Sequence, residues 1–275
     1  MSDAGPIHGE EPRPLPPELP EQPGAPEPMQ APQPQQPDSA PEVFWGYIDL
    51  CLFVFFFLVG LIGGSAVLVI EKVVFHFKEA PVAALLPAQL VTYAILFGGL
   101  KAVFRYGHDR PFWRSLGWTP LPIAPTRVVL AGIGAAFAVV ISGGIMRLPE
   151  GPNPMKDLVL QGGISLVLLA AFGVFLAPLC EELAFRGFIQ PLLVRSLGAA
   201  PGILISAVAF GLLHYQEYGN SWKHAVLISG AGAAFGVMRH FTRSTKAAVL
   251  MHAAYNGILF LLLAVGLAAE RNLHH

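Results

Sequence analysis

Residues 44–70 read FWGYIDLCLFVFFFLVGLIGGSAVLVI, an unbroken apolar run whose only charged residue is Asp49. About 20 such residues, rising about 1.5 Å each as a helix, cross the roughly 30 Å hydrocarbon core of a bilayer. Lipid offers the backbone no hydrogen-bond partner, so a run of this length dictates a helix that satisfies itself. The sequence on its two sides is of two different kinds.

On the N-terminal side, residues 1–42 hold 13 of the 25 prolines and eight of the 18 acidic residues, with Arg13 as the only Lys or Arg and no Phe, Trp or Tyr. So few apolar groups cannot offset the entropy of ordering the chain, and a disordered, acidic, proline-rich arm is expected. The other 233 residues keep 16 bases and 10 acids, a net +6 against −7 for the arm. Charged residues make up 13% of the whole and the mean hydropathy is +0.57. Soluble domains carry about 25% charged residues, so most of this chain does not face water. The sparse bases form no stripe able to neutralise a phosphate backbone, which excludes nucleic acid as a partner. Cys51 and Cys180 both lie in apolar runs, so neither a disulfide framework nor a four-cysteine metal site is available. The acidic start of the chain lacks the pattern of a signal peptide.

On the C-terminal side apolar runs recur at membrane-spanning length, roughly at 44–70, 82–106, 127–148, 160–196, 200–220, 223–241 and 246–268. The expected fold is all-α, a polytopic bundle of about seven transmembrane helices behind the arm. The fourth run is over-long; it tilts, breaks near Pro178, projects into water or hides an eighth span. Basic residues set the orientation. Arg105, Arg110 and Arg114 lie between spans two and three, Arg195 between four and five, and Arg239, Arg243 and Lys246 between six and seven. With seven spans these junctions share one side, expected to be cytoplasmic together with the N-terminus, in the plasma membrane.

Ionisable groups inside spans are costly and mark functional sites by default. Three clusters stand out: Cys180-Glu181-Glu182-Leu183-Ala184-Phe185-Arg186, Phe210 with His214, and His252 with Asn256. Glu182 and Arg186 stand i,i+4, about 40° apart on a helix, with the acid first, the favourable order for an ion pair. Glu181 points about 100° away from Glu182, so Glu182 and Arg186 hold each other while Glu181 stays available as a general base. His252 and Asn256, also i,i+4, share a face. Taken alone, the Glu182–Arg186 pair could simply lock helices, and Phe210 could simply pack. Cys180 has no base on its own helix and reads as a small core residue.

The series Glu-Glu-x-x-x-Arg, Phe-x-x-x-His and His-x-x-x-Asn on successive membrane helices, with the context Ala-Pro-Leu-Cys-Glu-Glu-Leu-Ala-Phe-Arg-Gly, resembles the type II CAAX prenyl protease family. In bacteria this family is also called the CPBP or Abi family of intramembrane glutamic endopeptidases. The resemblance covers about residues 160–262. With the arm at 1–42 and the N-terminal transmembrane helices at 43–150 read from composition, the resemblance implies a protease domain at 151–270. It also implies that Glu181, helped by His214, activates a water, and that His252 and Asn256 stabilise the oxyanion. Glu182, Arg186 and Phe210 would then be supporting residues. Hydrolysis would need neither metal nor other cofactor, and the partners would be the bilayer and a membrane-associated protein or peptide substrate. Two alternatives compete: a zinc protease, since one carboxylate and two histidines can ligate a metal although no His-Glu-x-x-His is present, and a non-enzymatic immunity factor, scaffold or proton-coupled transporter.

Overall fold

The computed structural model describes residues 43–76, 82–148 and 163–273; the arm expected over residues 1–42 lies outside them. Among the described residues every regular element is helical and none is a strand. The elements are α1 (Tyr47–Phe75), α2 (Val82–Ala102) with a π-helical extension Val103–Gly107, the short α3 (Phe112–Ser115) and α4 (Pro125–Met146). A composite rod follows: α5 (Gly163–Ala171), a π turn Phe172–Leu176, α6 (Ala177–Glu182), a second π stretch Leu183–Ile189 and α7 (Gln190–Leu197). Then come α8 (Ala199–Leu213), α9 (Trp222–Thr242) and α10 (Thr245–Leu273).

Five stretches are long and apolar enough to cross a bilayer: Tyr47–Phe75, Ala83–Gly107, Pro125–Met146, Leu166–Leu197 and Thr245–Gly266. The two remaining apolar runs fold as α8 and α9. At 15 residues α8 is about 22 Å long, short of the hydrocarbon thickness, because the helix stops at Leu213 rather than near residue 220. Only 17% of the most apolar window of α1 is buried against protein, and Phe55, Ile62 and Val73 point outward. An apolar exposed surface of that extent requires lipid around it. The chain is an integral membrane protein.

The rod does not break at Pro178. Proline removes a helical N–H and crowds the carbonyl four residues back. Pro178 and Pro191 each follow directly on a π stretch, whose wider turn re-routes the backbone hydrogen bonds. Leu166–Leu197 therefore continues for 32 residues, about 48 Å, longer than the hydrocarbon core is thick. Its exposed end carries Arg195, whose guanidinium donates to the carbonyls of Val43 and Trp45 ahead of α1.

Small residues let the helices approach, as packing without a hydrophobic drive requires. At the α1–α2 contact a Cβ on Gly60 would stand 2.8 Å from the Thr92 carbonyl oxygen, and Thr92 Oγ1 donates to the Gly60 carbonyl at 3.1 Å. α10 lies against α4 at Gly132, where a Cβ would collide with the Met251 carbonyl.

Polar contacts sort the junctions into two ends. His108 Nε2 meets Asp49 Oδ1 at 2.9 Å, Ser244 Oγ donates to the Thr119 carbonyl at 2.9 Å, and Arg195 holds Trp45. These contacts link the start of α1, the α2–α4 connection, the end of α7 and the α9–α10 turn at one end. At the other, Lys223 Nζ, beginning α9, donates to the carbonyls of Met146 and Arg147, ending α4.

Candidate active site

α6 and the π stretch after it place Glu182 and Arg186 in the protein interior. Arg186 Nη1 donates to Glu182 Oε1 at 3.1 Å and Nη2 donates to the Gly232 carbonyl on α9 at 2.6 Å. Both side chains are 0% exposed. The guanidinium lies over the Phe210 ring, 4.6 Å from its centroid, with Phe185 and Phe235 at 5.7 and 5.6 Å. An aromatic cage with one carboxylate and one carbonyl replaces much of the hydration that a buried guanidinium loses.

His252 on α10 joins both carboxylates. Its Nδ1 is 2.9 Å from Glu182 Oε1, the oxygen Arg186 already uses, and its Nε2 is 3.8 Å from Glu181 Oε2. The carboxylate at Nδ1 accepts a hydrogen bond from Nδ1–H, which leaves Nε2 as the nitrogen facing Glu181 and the reaction space. The ring stacks on Phe235 at 4.4 Å and meets the Phe210 edge at 5.8 Å, so it has little freedom to turn. Glu181 keeps 22% of its side chain accessible. Two sequence-adjacent carboxyls thus occupy different environments, one sealed and one open.

His214 is the C-terminal cap of α8 rather than a mid-span residue. Its Nδ1 is 2.8 Å from the Phe210 carbonyl, its ring lies 4.7 Å from the Phe210 ring, and its Nε2 is 3.9 Å from Glu217 Oε2. The Phe210 ring therefore stands between His214 and His252. Asn256 shares a face with His252 but reaches elsewhere: Nδ2 donates to the Gly173 carbonyl at 2.6 Å, inside the first π turn. One N–H of that amide is spent, and the second remains. The structure brings together Glu181, Glu182, Arg186, Phe210 and His252, adds His214 beside Phe210, and ties Asn256 to the π turn.

Three contributors escaped the sequence. Phe235 and Gly232 on α9 hold His252 and Arg186, and nothing in a helical apolar run marks them. Glu217, three residues after His214, was legible only as the end of an expected span. It lines a cavity of about 320 Å³ walled by α1, α2 and α5, with Leu61, Gly64, Thr92, Leu169 and Phe172 among its neighbours. Glu217 keeps 37% of its side chain accessible; its partial burial pushes the carboxyl up, His214 opposes this, and the nearby Glu181 carboxylate adds to it. Among the described residues no group of three or more His, Cys, Asp or Glu is placed to hold a metal ion.

No curated protein and no solved structure gives a significant match to the chain. A family model does match, described as type II CAAX prenyl endopeptidase Rce1-like, over residues 163–258. That segment runs from the start of α5 into α10 and includes every predicted site residue from Glu181 to Asn256. The match and the membrane-spanning helices together support a membrane-embedded protease. Residues 163–258, and with them the whole candidate site, match the type II CAAX prenyl endopeptidase Rce1-like family, which supports placing this part of the chain among the CAAX proteases.

Proposed function

We propose that the chain is an intramembrane glutamic endopeptidase in which Glu181 activates the hydrolytic water. The observation that carries this reading is the division of labour between neighbouring carboxyls: Glu182 is sealed between Arg186 and His252, whereas Glu181 stays accessible beside His252 Nε2. Glu181 removes a proton from water while the oxygen attacks the scissile carbonyl carbon. The second N–H of Asn256, joined by His252 Nε2 when that nitrogen also carries a proton, donates to the developing oxyanion, where preorganised donors in a water-poor site act most strongly. Breaking the C–N bond then requires a proton for the amine. Water attacks directly, so no acyl-enzyme forms, and the protein supplies its own acid, base and donors without a metal.

The substrate is a membrane-associated protein or peptide that enters from the bilayer. Seven spans, with the base-rich end in the cytoplasm and the plasma membrane as location, complete the proposal. The region from 151 to 270 acts as the protease domain, residues 43–150 as a helical wall against it and residues 1–42 as a solvated arm. The test is cleavage of quenched fluorescent peptides by purified protein in lipid vesicles, with and without a chelator. Chelator-resistant cleavage that falls about 10²- to 10⁴-fold in Glu181→Gln supports the reading. Cleavage that the chelator abolishes, or that Glu181→Gln retains, contradicts it.

A further inference from the structure

The C–N bond of an amide breaks only when the nitrogen receives a proton, and the base that has just taken one from water is not its only source near this site. His214 Nδ1 sits 2.8 Å from the Phe210 carbonyl, an acceptor, so Nδ1 carries its hydrogen. Nε2 is then the only nitrogen of this ring free to exchange a proton, and it faces Glu217 Oε2 at 3.9 Å. That separation is longer than a hydrogen bond and within ion-pair reach, so a small side-chain rotation brings the two into direct contact.

Glu217 comes from the α8–α9 connection but turns into the cavity between α1, α2 and α5, where it is the one charged residue among the described residues of the lining. The titratable groups facing it come from several elements: His214 at the end of α8, Glu181 on α6, Tyr93 on α2 and the neighbouring Tyr218. None of these four is a lysine or an arginine.

We propose that Glu217 works through His214 as a positioning residue, the two side chains holding between them the proton that the departing amine takes. This rests on the peptidase reading above and names the proton donor that reading leaves open. Water gives one proton to Glu181 and its oxygen to the carbonyl carbon. The C–N electron pair moves to nitrogen, which takes a proton from His214 Nε2, and Glu217 resupplies His214. The proton on Glu181 returns to the pair. One water is consumed, one carboxyl and one amine are formed, and all three side chains regain their starting states. The upward push of burial on Glu217 suits a group that must keep a proton to give.

The test uses the full chain in lipid vesicles and two substrates with the same acyl portion, a peptide amide and an aryl ester whose phenolate leaves without a proton. Glu217→Gln should lower kcat on the amide about 10²-fold with KM unchanged, and lower turnover of the ester less than about tenfold. Glu217→Asp should recover part of the amide rate. Equal losses on the two substrates, or an undiminished amide rate, overturn the proposal. Glu181→Gln reports separately on the peptidase reading, since it must lose both substrates.

Discussion

Helical rotation alone separates Glu181 from Glu182, because adjacent residues diverge by about 100° and Arg186 lies on the side of Glu182. That much of the site is legible in the chain, and the ion pair forms at 3.1 Å. His252 is legible as a site residue; what the chain hides is its contact with Glu182, 70 positions away, where it uses the same oxygen as Arg186 and turns its other nitrogen to Glu181. Periodicity reports which residues share a face of one helix and says nothing of which side chain crosses from another. Glu217 was missed for a related reason: an apolar run extended to residue 220 places it at a span end, whereas the helix stops at Leu213 and the chain turns Glu217 inward. Its raised carboxyl has a consequence for stability. A group that binds its proton more tightly when folded contributes fully below the unfolded value, about 4.3 for Glu, and loses that contribution as pH rises through the folded value. The thermal midpoint of the wild type, compared with Glu217→Gln, should therefore fall as pH rises above about 4.3. Parallel midpoint curves for the two proteins contradict this.

At the scale of elements, apolar run lengths found the helices and misjudged their interiors. Hydropathy counts residues, while a π stretch is a matter of which carbonyl each N–H reaches, so Phe172–Leu176 and Leu183–Ile189 left no trace in the apolar pattern. The prolines were the available signal: Pro178 pointed to a break, and the backbone widened just ahead of it instead. These π stretches flank the six residues of α6 that carry both carboxyls, and the first supplies the carbonyl that holds Asn256. The other wall of the site depends on α10 lying close to α4. A Cβ at Gly132 would strike the Met251 carbonyl, next in sequence to His252, whereas nothing lies within 4 Å of one at Gly134. Gly132→Ala should cost about 1–3 kcal/mol of stability and lower cleavage by moving His252, while Gly134→Ala should leave both as in wild type. Thermal unfolding and turnover of the two variants check this, and equal behaviour contradicts it.

For the whole molecule, the first helices matter more than their lack of motifs suggests. Trp45 donates its indole N–H to the Phe188 carbonyl at 3.1 Å and stacks on the Phe188 ring at 5.5 Å, and Phe53 packs on that ring at 4.9 Å. Residues before and within α1 thus brace the π stretch that carries Arg186. No motif announces this, because aromatic packing is specified by shape across distant segments rather than by spacing along one. The charge asymmetry of the junctions, by contrast, was readable, and contacts among Asp49, His108, Trp45, Arg195, Thr119 and Ser244 gather the base-rich junctions at one end. Single cysteines replacing exposed Trp113 and Trp222 test the orientation in a cysteine-free background. Position 113 should react with an impermeant thiol reagent only from the cytoplasmic side and position 222 only from the opposite side. Labelling of both from one side contradicts the seven-span arrangement.

Two neighbouring carboxyls have different tasks, so the most direct measurement compares Glu181→Gln with Glu182→Gln for peptide turnover and thermal midpoint. Glu181→Gln should lose about 10²- to 10⁴-fold in turnover while keeping the wild-type midpoint. Glu182→Gln strips the buried Arg186 of its counter-charge and should lose about 3–5 kcal/mol of stability, with activity falling as a consequence. Turnover retained in Glu181→Gln, or a lowered midpoint in Glu181→Gln with none in Glu182→Gln, would contradict the assignment of Glu181 as the base.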